Sequence, residues 1–424
     1  MNAQTPSIVK SIVAQLTAKS LSTRRAGFAL LHELIAVLQG GLESQIPLLV
    51  TRIETALKTS DSGLSGAATQ LKIEVLSLLS LFFKTHHPKT YSDELGKLVP
   101  LIVSGISDRF NKIAAEAFVT ASSLIKALRP VSPTSTPSTL PPPMVAYLTQ
   151  IYQATMQRLQ GPDADEEVKG KGIQTLGTLL YHAGDYAAGD LSTALSFLRD
   201  RLKIEVQRIV TVQTVGLVAS SPVLKGKEVD EWVLECLGEV STLLRKVHRP
   251  LKIAAFDSID SLLTRTSSTS IPEEVSSNLL QDLEPLLTDQ DVNLLPHALN
   301  TTAHLLASSS SDSEIDIEDS LLPKIYQLVQ SPLVQGPSLE GLLQFFKAYL
   351  KSGAEAKPLL KQLGATAVNA EGGKKAVAGQ EGIQNLVTAS RCIGMIVKES
   401  KGSVGEEVVK DNEKILKVSL GISF

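Results

Sequence analysis

A two-helix pattern repeats along this chain in steps of about forty residues, and that repetition limits the fold more than any other feature. Its clearest instance lies around Pro100 to Pro130. Leu95, Leu98, Val99, Ile102 and Ile106 recur at helical spacing and define one apolar stripe. A turn follows, Ser107-Asp108-Arg109-Phe110-Asn111, and then a second stripe of Ile113, Ala117, Ala121, Leu124, Ile125 and Leu128. Asp108 suits the start of the second helix, where a short side-chain oxygen can accept N–H groups that lack a helical partner. Arg129-Pro130 ends it, since proline cannot continue the ladder and restricts the residue before it. Two such helices cannot bury both stripes alone and need neighbours of the same kind.

The register shows in one column. At the start of each second helix sits a basic residue, Arg25, Lys72, Lys112, Lys169, Arg208 and Lys252, with Asn293 next. Outside two loop insertions the step is the period of HEAT and armadillo units. The fold class expected is therefore all-α, a HEAT-repeat α-solenoid: a superhelix of stacked antiparallel helix pairs with no sheet. In HEAT units such a basic column can reach an acidic turn residue of the neighbouring repeat, and Asp108, Asp165 and Asp289 stand ready for that ladder. Repeats are expected over 1–130 and 144–353, separated by the Pro/Ser-rich loop 131–143. Weaker repeats fill 354–424, split by a Gly/Ala-rich loop at 369–380. The last helix, VGEEVVKDNEKILKVSL, has no partner, so an incomplete piece of a longer solenoid is expected, or one half of a split protein.

Composition excludes several function classes. Aromatics are only 4% against 43% apolar residues, so Leu, Ile, Val and Ala do the packing. A formal charge of −3 gives no reason to expect a nucleic-acid partner. Two cysteines, Cys236 and Cys392, far apart, give no disulfide framework and fit a reducing compartment. No run reaches the roughly 18 apolar residues of a membrane helix. Candidate chemistry fails on inspection: GGKKA at Gly372 to Ala376 lacks the spacing of a phosphate loop. His86-His87 has no further ligand at metal spacing and suits a helix C-terminus. His297 and His304, one heptad apart, suit a packed or solvated face, and Trp232 a core position. Asn300-Thr301-Thr302 falls mid-helix and is a sequon in pattern only. The run SSSSDSEIDIEDS, Ser308 to Ser320, reads as a solvated loop, with phosphorylation or a basic partner as the alternative. No enzyme, cofactor, metal or small-molecule substrate is expected.

Some strings exceed what stacked helices demand. QIPLLVTRIETAL, LVPLIVSGISDRFNKIAAEAF, GDLSTALSFLRDRLKIEVQRIVTV and above all SPLVQGPSLEGLLQFFKAYL resemble the central HEAT repeats of the cullin-associated, neddylation-dissociated family. The order and spacing match from about Leu21 to Lys401, most tellingly at Ser331-Pro332-Leu333-Val334-Gln335-Gly336. The resemblance implies a non-catalytic regulator that wraps an unmodified cullin with its RING subunit. It implies competition with adaptor and substrate-receptor modules of cullin-RING ubiquitin ligases, hindered attachment of the ubiquitin-like modifier, and a cytoplasmic and nuclear setting. Candidate contacts are Asn111, Lys112, Lys169, Lys171, Arg208 and Lys252, near the starts of second helices, with the structural ladder as their competing role. Two other HEAT scaffolds remain open at this point. A karyopherin-type transport receptor would favour a strongly acidic inner face, and a phosphatase scaffold a more uniform repeat length.

Overall fold

In a computed structural model the described residues are 5–40, 42–59, 66–134, 137–162, 165–187, 190–266, 271–308, 317–372 and 380–400. They divide into two compact units, Met1–Val229 and Asp230–Phe424. Among the described residues all regular structure is helical. The acidic run at 309–316, the core of the Gly/Ala-rich loop at 373–379 and the expected last helix lie outside them.

The N-terminal unit alternates first and second helices. First helices are α1 (Thr5–Gln15), α3 (Ile46–Leu57), α5 (Leu95–Ile106), α7 (Pro142–Gln160) and α9 (Leu191–Arg201). Second helices are α2 (Leu21–Leu38), α4 (Ala67–Thr85), α6 (Asn111–Leu128), α8 (Glu166–Ala183) and α10 (Arg208–Ala219). Each second helix packs against the next one, α2 on α4, α4 on α6, α6 on α8 and α8 on α10, while α3 packs on α5 and α5 on α7. This is the HEAT arrangement, and every stripe read from the sequence points inward: Leu98, Ile102, Ile113, Ala117 and Leu124 are fully buried. Burying one such leucine or isoleucine contributes about 2 kcal/mol, so the stack is held by many small increments.

The C-terminal unit repeats the scheme. It contains α11 (Lys227–Ser241), which begins at the boundary, α12 (Arg249–Thr266), α13 (Glu273–Leu283), α14 (Leu295–Ser308), the single turn α15 (Ile317–Ser320), α16 (Leu322–Val329), α17 (Pro337–Lys351), α18 (Ala356–Gly372) and α19 (Gln380–Glu399). Second helices α12, α14, α17 and α19 stack in order. Trp232, on α11, is 4% exposed and takes the core position read from the sequence. Helix α18 continues to Gly372, so part of the run read as a Gly/Ala-rich loop is helical.

Buried hydroxyls link successive second helices. Thr120 donates to the Leu76 carbonyl at 2.8 Å, Ser80 and Ser123 meet at 2.8 Å, and Thr175 donates to the Phe118 carbonyl at 3.1 Å. Close approach makes this possible: a Cβ added at Gly177 on α8 would lie 2.4 Å from the Thr214 methyl on α10.

The Pro/Ser-rich segment is tied down at its described residues. Arg129, 2% exposed, donates to the Ser138 carbonyl at 2.9 Å and the His182 carbonyl at 3.0 Å. The Tyr186 hydroxyl accepts the Leu140 N–H at 2.8 Å. A prolyl run that would otherwise be a free spacer thus lies against the end of α8.

Candidate partner-binding surface

The turn edge of the stack is built from the residues that start each second helix. Lys72 reaches Asp108 of the following turn at 3.4 Å, the rung read from the sequence. Asp108 does not cap α6. Its other oxygen accepts the Phe110 N–H at 3.0 Å and holds the turn, because the helix begins at Asn111. The remaining rungs depart from the basic-to-acidic pairing of the column, in residue or in partner. Arg25 pairs with Gln70, and Gln207 donates to Glu166 at 2.9 Å. In the C-terminal unit Arg249, three residues before Lys252, meets Asp291 at 2.7 Å. Asp165 caps α8 by accepting the Val168 N–H at 2.9 Å, and Asp289 accepts from Ser331 at 2.6 Å.

The six sequence-predicted contact residues fall into different environments. Asn111 accepts from Arg158 at 3.3 Å. Lys169 lies 3.5 Å from Glu166. Arg208 donates to the Leu202 and Lys203 carbonyls at 2.9 and 3.1 Å and so closes the C-terminal end of α9. Lys112 is exposed and Lys252 half-buried. Lys171 alone of the six lines a groove. Lys252 belongs to the C-terminal unit and the other five to the N-terminal one, so they do not form one patch within a unit.

That groove, about 630 Å³, opens along the faces of α4, α6, α8 and α10. Lys84, Lys126 and Lys171 stand around it, with Ser122, Gln174 and Gln213 between them. On α6, burial pushes the Glu116 carboxyl up, while Lys171, Lys84 and His32 pull it back. Lys84 and Lys126 escape a single-helix reading because they are brought together only by stacking.

The turns carry a second feature that the sequence reading missed. In the N-terminal unit Phe110 and Val206 are 40% and 74% exposed. In the C-terminal unit Val247, Val292 and Leu333 are 97%, 41% and 56% exposed. All five occupy the link between a first and a second helix, so each unit presents apolar side chains along one edge. Arg109 stacks on Phe110, its guanidinium carbon 4.8 Å from the ring centre. The signal available was a large apolar residue in five of these turns, inside segments that otherwise read as polar.

Candidate chemical sites resolve into structural roles. His86 is buried, stacked 4.3 Å from Phe82, and burial holds its pKa below the ordinary value. The His87 ring accepts the Lys89 N–H at 3.2 Å. His297 stacks on Phe256 at 5.8 Å, and His304 lies 3.3 Å from Asp260. Asn300 is on α14, where the neighbouring Thr301 donates to Asp260 at 2.8 Å. Among the described residues no group of three or more His, Cys, Asp or Glu could hold a metal, and no helix is long and apolar enough to cross a membrane.

The SPLVQG string has a geometric explanation. Ser331 holds Asp289 of the previous turn and accepts the Leu333 N–H at 3.3 Å, Val334 is fully buried, and Gly336 adopts φ +49°, ψ −123°. Comparison with known proteins bears on the same stretch. The chain is 32% identical over 389 residues to the Cullin-associated NEDD8-dissociated protein 1 of Drosophila melanogaster, covering 88% of this chain and 29% of that protein. Its sequence kinship is with the cullin-associated NEDD8-dissociated proteins. The Arabidopsis thaliana protein of the same name is 31% identical over 344 residues, 80% of this chain and 27% of its own length. Residues 40–176 match the family described as CAND1-like, TPR repeats. The chain spans under a third of the length of these two relatives. A solved structure of a Kap121p mutant superposes with a TM-score of 0.53 at 14% identity, over 99% of this chain and 44% of that one. At that identity the likeness is one of fold.

Proposed function

We propose that this chain is a non-catalytic scaffold that binds a cullin in complex with its RING subunit. On this reading it favours the unmodified cullin, competes with adaptor and receptor modules for overlapping surface, and hinders attachment of the ubiquitin-like modifier. The observation that carries the reading is the similarity over 88% of the chain to a protein named for cullin association. The geometry suits wrapping rather than catalysis. Each repeat offers its second-helix face and one turn, and binding strength accumulates over many modest contacts.

Two kinds of contact are assigned. Lys171 contributes charge on the groove face, and the exposed turn residues Phe110 and Val206 contribute apolar area. Arg208 is better placed to support the α9–α10 turn than to touch a partner, since its guanidinium already serves two carbonyls. The deciding experiment is a pull-down with purified cullin–RING complex, unmodified beside modified. Capture of the unmodified form alone supports the reading. Capture of neither, or of both equally, removes it for this chain.

A further inference from the structure

The groove on the N-terminal unit has an electrostatic character that its helices do not account for. Lys84 and Lys126 lie in the last turns of α4 and α6, where the partial negative charge of a helix end favours a cation. Lys171 lies near the opposite end of its own helix, α8, where no such benefit exists, yet it faces the same hollow. No carboxylate lines the groove; among the described residues the nearest counter-charge is the half-buried Glu116 of α6, which feels Lys171 and Lys84 but forms no ion pair with them. Like charges gathered in a concave surface reinforce one another and concentrate anions there.

The rest of the lining is mixed: Val119, Ala127 and the exposed Leu217 supply apolar surface, and Ser122, Gln174 and Gln213 supply polar groups. The Thr175, Thr178 and Thr214 hydroxyls spend their protons on carbonyls or hydroxyls within the helices. At 1%, 5% and 3% exposure they serve the helix stack, and the polar contacts open to a ligand are Gln174 and Gln213. Gln174 and Gln213 are exposed and can both donate and accept. The one aromatic ring in the lining, Phe83, is only 2% exposed, so no platform exists for stacking bases. Four helices at about 10 Å spacing give a span of about 30 Å, room for on the order of eight extended residues.

We infer that this groove binds an acidic peptide segment of a partner chain, its carboxylates meeting Lys84, Lys126 and Lys171 and its backbone meeting Gln174 and Gln213. The assignment does not rest on the cullin reading, since the groove would accept such a segment from any protein that presents one.

The test uses the full chain and fluorescence anisotropy with four labelled probes. These are a ten-residue peptide alternating Glu and Asp with Gly and Ser, its Gln/Asn counterpart, a version with phosphoserines replacing the acidic residues, and a ten-nucleotide uridine RNA. The acidic peptide is expected to bind at least tenfold more tightly than the neutral one, and less tightly as salt rises. Lys84→Glu, Lys126→Glu and Lys171→Glu are each expected to weaken it by about fivefold or more, with Lys351→Glu, on α17, leaving it unchanged. Circular dichroism of each variant separates lost binding from lost fold, and Lys→Gln substitutions provide a milder second series. Equal binding of the neutral peptide, indifference to the three lysine reversals, tighter binding of RNA, or binding of the phosphopeptide alone would each overturn the assignment.

Discussion

Arg129 and Asp185 form a two-pronged ion pair, Nη1 to Oδ1 at 2.5 Å and Nη2 to Oδ2 at 2.9 Å, across 56 residues of sequence. The guanidinium is 3% exposed and also lies over the Tyr186 ring, 4.9 Å from its centre. Its remaining donors hold the Ser138 and His182 carbonyls, so one side chain joins α6, the Pro/Ser-rich segment and the turn after α8. Removing the acid strands a buried cation. Asp185→Ala is therefore expected to destabilise the N-terminal unit by about 3 kcal/mol, at the low end for such pairs because the aspartate is partly exposed. Limited proteolysis should show new cleavage between Pro130 and Pro141. An unchanged digestion pattern would count against the anchoring role.

The pH response of the two units should have opposite sign. On His304 the hydrogen bond its ring donates to the Asp260 carboxylate outweighs burial and raises the pKa above 6.5. Its contribution is complete below the unfolded value and fades as pH rises through the folded one. On His182 burial dominates and lowers the pKa, although the Arg129 carbonyl 2.7 Å from Nδ1 opposes the shift. The native state there binds fewer protons than the unfolded chain, so stability falls as pH drops below 6.5. NMR titration should show His304 titrating above the model-peptide range and His182 below it. Asp260→Asn should bring His304 back toward 6.5 and leave His182 in place.

Gly336 is the clearest case of a backbone requirement. Its φ of +49° with ψ −123° lies outside the regions open to side-chain-bearing residues, while a Cβ there would meet nothing within 4 Å. The cost of Gly336→Ala is thus conformational rather than steric contact, about 1–3 kcal/mol. Urea unfolding of the full chain, followed by a probe in the C-terminal unit, should show the loss. Gly66, also left-handed but at φ +61°, ψ 8°, is expected to cost less when replaced by Asn, which tolerates that region.

The fold was legible because a repeated apolar stripe at helical spacing has few solutions, and Ile102, Ile113 and Leu124 are buried where that pattern requires. The polar ladder was legible only in kind. Lys72 and Asp108 pair as read, but the next rungs pass to Gln207 and Arg249, because a shift of a few residues at a turn changes which side chain reaches the neighbour. Helix ends were harder still. At the end of α2 a non-glycine residue, Gln39, takes the left-handed position, φ +52°, its side chain donating to the Ala36 carbonyl at 2.6 Å. The groove was beyond reach. Lys84, Lys126 and Lys171 share it only because three second helices stack with one face in common, and sequence spacing across a 55-residue repeat with an insertion does not report that face.

Arg208 separates structural from partner-contact roles at the starts of second helices. Its Nε and Nη2 close the carbonyls of Leu202 and Lys203, a task that needs a guanidinium's paired donors and that a lysine ammonium fills less well. Arg208→Glu should lower thermal stability by an amount equivalent to about 1–2 kcal/mol, because both carbonyls lose their donor and meet a like charge. Arg208→Lys should recover part of it. Lys171→Glu, by contrast, breaks no hydrogen bond of its own and moves close to Lys84, Lys126 and the raised carboxyl of Glu116. Losing the charge that offsets Glu116 burial should cost less than losing the two Arg208 bonds, so its melting temperature should stay well above that of Arg208→Glu while binding falls. Differential scanning calorimetry of the three variants beside the wild type checks the ordering. A Lys171→Glu protein as destabilised as Arg208→Glu would show that the groove lysine supports the fold, and would take Lys171 out of the contact surface.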